Sequence, residues 1–184
     1  ARAGPWKLFT NQKLETFDDL KGLKIRAPSI EGVIAGLEQV GAKPTVIPFN
    51  ELYGALQQGV VDGMATLGNL MISQKFYEVV KHCYQNDWGI GLDKQMINMG
   101  TWDNLGEKNQ KILTETFNEL EPQDFFRATE EAEISNFKEW RELNGQDSTP
   151  LLDATAAHKT LAPAIKGLAD DIFGSGTYDR IQSI

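Results

Sequence analysis

The stretch from Leu23 to Pro48 constrains the fold of this chain more than any other. Leu23 and Ile25 alternate with Lys24 and Arg26, the two-residue period of a half-buried strand, and Pro28 stops it. Ile30, Val33, Ile34, Leu37 and Val40 then recur at intervals of three and four. That spacing predicts a helix from about Glu31 to Val40 with one apolar face, closed by Gly41. Lys43 to Pro48 reads as the next strand. Strand, helix and strand in this order require a parallel pair joined by a right-handed crossover, so the fold class is α/β.

The flanking segments extend this pattern. Ala1 to Phe9 reads as an opening strand, and Thr16 with Asp19 has capping-box spacing ahead of a short helix that Gly22 closes. Asn50 is placed to cap a helix that buries Leu52, Leu56 and Val60 and ends in the turn QQGVVDG. Phe76, Tyr77, Val79 and Val80 read as packing residues, and His82 to Met99 as strand interrupted by Gly89 and Gly91. A long helical tract follows from about Glu107 to Leu143 and breaks at Pro122. Its apolar positions include Ile112, Leu113 and Phe117, then Phe137, Trp140 and Leu143, while Glu130, Glu131 and Glu133 read as a solvated face. A short strand at Pro150 to Leu152 rejoins the sheet. Asp153 caps the next segment, Pro163 suits the first turn of a helix, and Ile165, Leu168, Ile172 and Phe173 form its buried stripe.

Chemistry narrows to one side chain. An arginine where a strand gives way to a helix can hold a carboxylate through two parallel hydrogen bonds, and Arg26 stands in that place. The net charge of -8, with scattered lysines and arginines, excludes a phosphate-binding surface and hence a nucleic-acid partner. The single cysteine, Cys83, excludes an internal disulfide and a cysteine-based zinc site. His82 and Cys83 are strand neighbours that face opposite ways, so they form no nucleophile pair. No G-x-S-x-G turn, metal-ligand cluster or glycine-rich cofactor turn is present, so no catalytic residue, cofactor or metal is expected. No apolar run approaches the ~20 residues of a membrane span. An interaction module working through a sheet edge, or less readily an α/β enzyme, is the alternative.

Three motifs occur in a fixed order: DLKGLKIR at 19–26, GA-x-P-x-x-x-PF-x-E-x-Y-x-ALQ-x-GVVDG at 41–63, and KFYEV at 75–79. The pattern W-x-x-L-x-x-x-x-Q-x-x-L follows at 102–113. This series resembles the solute-binding proteins of tripartite ATP-independent periplasmic (TRAP) transporters, the DctP-like family. The resemblance implies a periplasmic-binding-protein-like lobe with a mixed, mostly parallel sheet flanked by helices, and a long helix spanning two lobes. It implies extracytoplasmic capture of a small organic acid, hinge closure over it, and delivery to the membrane subunits of a TRAP transporter.

The same resemblance assigns candidate ligand residues. Arg26 takes the carboxylate and Phe49 lies along the ligand. Thr66 stands where many members have an asparagine, with Asn69 three residues on. Trp6 occupies the position of a second arginine common in the family, and Lys7 and Arg2 nearby are out of register. Trp88 lines the cleft, and Gly89 and Gly91 suit a hinge. The segment from Met64 to Asn69 lacks the acidic pair that holds a metal in some members. Three aromatic walls and one cation favour a monoacid with an apolar body. By the family's lobe alternation, residues 4–91 with 132–184 form the second lobe and 92–131 join a first lobe. Members carry the body of that first lobe and a signal peptide ahead of the counterpart of residue 1, so this chain is expected to correspond to the C-terminal portion of such a protein, as a fragment or as a trimmed relative.

Overall fold

The computed structural model describes residues 2–92, 96–119 and 122–183 and places six strands in one sheet. They are β1 (Arg2–Thr10), β2 (Lys24–Ala27), β3 (Lys43–Val46), β4 (Gly63–Leu67), β5 (His82–Cys83) and β6 (Gly89–Leu92). The order is β3-β2-β4-β1-β5, with β6 on β1 as well. β2 is parallel to β3 and β4, whereas β1 is antiparallel to β4, β5 and β6. The sheet is therefore mixed, and β1 alone runs against the rest. Helix α1 (Glu31–Gln39) makes the expected crossover from β2 to β3.

Alternation along the strands divides the core into two layers. Leu8, Ile25, Ala27 and Ala65 point to the face covered by α1, with Leu37 and Val40. Phe9, Met64 and Cys83 point to the other face, under α2 (Leu52–Gln57) and α5 (Pro122–Asn144), with Leu52, Leu56, Phe137 and Trp140. Phe9 and Trp140 meet with ring centroids 5.6 Å apart. Between these layers the motif Asp62-Gly63 works as a lock. The Asp62 carboxylate accepts the backbone N–H of Lys24 at 2.8 Å, and its own N–H donates to the Lys24 carbonyl. A Cβ on Gly63 would collide with the Phe9 carbonyl and press on Ile25, so only glycine lets β4 sit between β1 and β2.

Several expectations are corrected. Asn50 lies inside a 3-10 turn, Phe49–Glu51, and does not cap α2. Val60 is exposed because α2 ends at Gln57 and Gly59, at φ +68, turns the chain away from the helix face. Ile30 is exposed too, at the N-cap of α1 instead of within its stripe. The segment at 150–152 forms no strand. It is held by Asn86, whose side-chain amide donates to the Leu152 carbonyl and accepts its N–H, while Gln85 N–H donates to Pro150. Asp153 accepts the N–H of Thr155 and starts α6 (Thr155–Phe173) early, which leaves Pro163 well inside the helix. The stripe of α6 that packs inward runs through Ala157, Leu161 and Leu168, and so Ile165, Ile172 and Phe173 are exposed. Leu143 and Glu133 also change places with expectation, since Leu143 is exposed and Glu133 is paired.

Helices α3 (Met99–Asn104) and α4 (Gly106–Glu119) bury no side chain among the described residues. Ile112 and Phe117 are about half exposed. The chain closes with α7 (Thr177–Gln182), tied to α6 by Lys166 and Asp179 at 2.5 Å. No described helix is long and apolar enough to cross a membrane.

Candidate functional site

Arg26 sits between Ile25 and Ala27 on β2 and beside Met64 on β4, so its side chain belongs to the face under α2 and α5. It is only 3% exposed. Its Nε donates to the carbonyl of Ile47 at 2.9 Å, and one terminal nitrogen makes a long contact of 3.5 Å with the carbonyl of Ala65. A guanidinium carries more donors than these two acceptors use. Among the described residues no carboxylate pairs with it. Burial therefore pulls its pKa below the usual arginine value, and the two carbonyls replace only part of the lost hydration. A buried cation left in that state is costly, and an incoming anion relieves the cost.

Three other expected residues share this face. Thr66 follows Met64 by two positions on β4 and is buried. Asn69 lies in the 3-10 turn Gly68–Leu70 directly after β4, where its carbonyl accepts the side chain of Asn136 from α5 at 3.3 Å. Phe49, two residues beyond the Ile47 carbonyl that holds Arg26, is 42% exposed and meets Phe76 edge-on at 6.2 Å. An aromatic ring left this open has an apolar surface to offer.

Trp6 and Trp88 stand elsewhere. Trp6 pairs with Leu67 in the β1–β4 register, one residue out of phase with Thr66, and packs on the α1 layer. Trp88 joins it there, with its N–H bonded to the Trp6 carbonyl and its ring against Gly36 and Phe17. The β1–β4 register puts Trp6 on the sheet face opposite Arg26, and Trp88, just ahead of β6, packs with it on that layer.

The structure adds a group that the sequence placed out of register. Lys7 lies directly opposite Thr66, on Arg26's face, and is 2% exposed. Its ammonium donates to Asp87 at 2.6 Å, to Glu133 at 2.7 Å and to the Gln85 carbonyl at 2.8 Å, over the ring of Phe137. Burial alone would lower its pKa, but the hydrogen bonds it donates to Asp87 and Glu133 outweigh that and raise it. Counting from Phe9 by twos along β1 would have found the face. Nothing local announces the partners, which come from 78 and more residues away.

Cys83 is fully buried beneath α5, and burial pushes its thiol well above the usual range, so it is an inert packing residue.

Known proteins match this geometry. The sequence profile of "Bacterial extracellular solute-binding protein, family 7" (DctP) matches residues 3–167. The chain is 30% identical over 129 residues to the sialic acid-binding periplasmic protein SiaP of Vibrio cholerae, covering 70% of this chain and 40% of that protein. It is 30% identical over 163 residues to the C4-dicarboxylate-binding periplasmic protein DctP of Rhodobacter capsulatus, covering 84% of this chain and 49% of that one. Among solved structures, a TRAP periplasmic solute-binding protein from Desulfovibrio salexigens with bound orotic acid superposes at a TM-score of 0.85 and 28% identity. That match covers 98% of this chain and 58% of the other. The chain spans about half the length of the curated relatives it matches.

Proposed function

The chain belongs to family 7 of the bacterial extracellular solute-binding proteins, the DctP family, and from that premise we propose that it is the arginine-bearing part of a receptor for a small organic acid. The acid is captured outside the cytoplasm and handed to the membrane subunits of a TRAP-type transporter, with no covalent chemistry on the way. The observation that carries this is Arg26, a buried guanidinium with donors to spare and no carboxylate beside it among the described residues. A carboxylate can take those donors pairwise.

Phe49 forms the apolar side of the site, and Thr66 and Asn69 supply its polar side. The first lobe closes over it. Residues 4–91 with 132–184 form the lobe described above, and 92–131 reach into the other one. In support, Met96, Ile97, Trp102, Leu113 and Phe117 line an apolar groove of about 470 Å³ on the otherwise unburied α3–α4 segment. An exposed apolar face of that kind is typical of a surface that meets a partner.

Calorimetric titration of organic acids into the protein with both lobes, and into this chain alone, tests the proposal. The wild type binds, Arg26→Ala abolishes binding, and the chain alone binds at least about tenfold more weakly, because the ligand keeps water on one side. Acid binding that survives Arg26→Ala would overturn it.

A further inference from the structure

We infer that the Lys7–Asp87–Glu133 cluster is a charge filter that restricts the Arg26 site to ligands with a single carboxylate. The inference rests on the proposed function and deepens it.

Among the described residues Lys7 is the other buried cation on Arg26's face of the sheet, whereas Lys24 and Lys43 are exposed at the far end of β2 and β3. Arg26 pairs with Met64, Thr66 stands two residues further along the same strand and face, and Lys7 is directly across from Thr66. A dicarboxylate gripped at one end by Arg26 would look to Lys7 for its other end. Lys7 has nothing to give. Its N–H donors are spent on the Asp87 and Glu133 carboxylates and the Gln85 carbonyl. The cluster is also one negative charge in excess, one ammonium against two carboxylates. Asp87 is 55% exposed and Glu133 20%, and both line a groove of about 550 Å³ with Gln85, Phe137 and Arg141. A second ligand carboxylate on this side meets like charge, and on the Phe49 side it meets an apolar ring. A monoanion with an uncharged body meets neither obstacle.

The test is competition between acids of matched length: pentanoate against glutarate, and 2-oxopentanoate against 2-oxoglutarate. Each is titrated calorimetrically into the protein with both lobes. The wild type prefers each monoacid by about tenfold or more, the scale of one unit charge at roughly 10 Å in a partly screened site. The isosteric double variant Asp87→Asn, Glu133→Gln turns the cluster net positive and strengthens dicarboxylate binding about tenfold, with monoacid affinity within about threefold. Asp87→Asn alone, at the more exposed carboxylate, shifts the ratio in the same direction by a smaller factor and guards against loss of folding in the double variant. Binding that depends on Arg26 but shows no monoacid preference, or a ratio the variants leave unmoved, overturns the filter alone. Failure of every acid to bind, or binding indifferent to Arg26→Ala, overturns the proposed function and the filter with it.

Discussion

The Nε–H of Arg26 donates to the carbonyl of Ile47 at 2.9 Å, which fixes the head of a β2 side chain against the segment that leaves β3. That bond aims the guanidinium without neutralising it. A site prepared in this way gives up stability while empty and recovers it on binding.

The first prediction follows from that exchange. Arg26→Met keeps the stem volume and removes the uncompensated charge, so the unliganded protein gains about 1–2 kcal/mol in urea unfolding while acid binding is lost. Arg26→Lys retains a charge but not the planar fork and weakens binding by about tenfold or more. A loss of stability in Arg26→Met would mark the guanidinium as structural instead.

Gly63→Ala is expected to be among the most damaging single substitutions. Its Cβ meets the Phe9 carbonyl, which is backbone and cannot step aside, as well as Ile25. The cost is about 3 kcal/mol or more, read as a fall in urea midpoint, because β4 must part from β1 or β2. An unchanged midpoint would mean that the strand shifts freely.

Acid sensitivity has a defined contributor in Asp19. Its carboxylate accepts the backbone N–H groups of Thr16 and Glu15, each at 2.9 Å, which holds its pKa below the ordinary 3.8. A depressed pKa in the folded state means that this stabilisation is fully present above about pH 4 and is lost as pH falls through the lower folded value. Wild type should therefore exceed Asp19→Asn in urea midpoint at pH 7, and the gap should close in strong acid. A gap independent of pH would remove the charge from the explanation.

Amide hydrogen exchange tests the lobe assignment. In the isolated chain, α4 should exchange fast and β1 and β4 slowly, since α4 buries nothing among the described residues while the strands lie between two layers. In the protein with both lobes, protection should appear at Ile112, Leu113 and Phe117. Equal protection in both forms would place the partner surface of α4 elsewhere.

Much of the fold was legible because it depends on short-range rules. The β2–α1–β3 crossover and the Asp19 cap both follow from local signals, whereas the break expected at Pro122 falls on 120–121, outside the described residues. Arg26 and Phe49 stand in the ordered motifs, Thr66 and Asn69 could be named by counting on from Gly63, and the pairing of β2 with β4 turns Arg26 and Thr66 to one face. Pro163 failed as a helix start because the capping carboxylate that decides the start lies ten residues earlier, at Asp153.

What the amino-acid order settled by itself is the β2–α1–β3 unit and the arginine set near the end of its first strand, since period, caps and prolines act locally. Which face each side chain occupies was left to the packed sheet. Lys7 and Trp6 are neighbours in the chain, and only the pairing of β1 with β4 turns one toward α5 and the other toward α1. The counter-charges of Lys7 arrive from a loop and a helix far along the chain, and no local rule can foretell an ion pair that forms only once three distant elements are packed together.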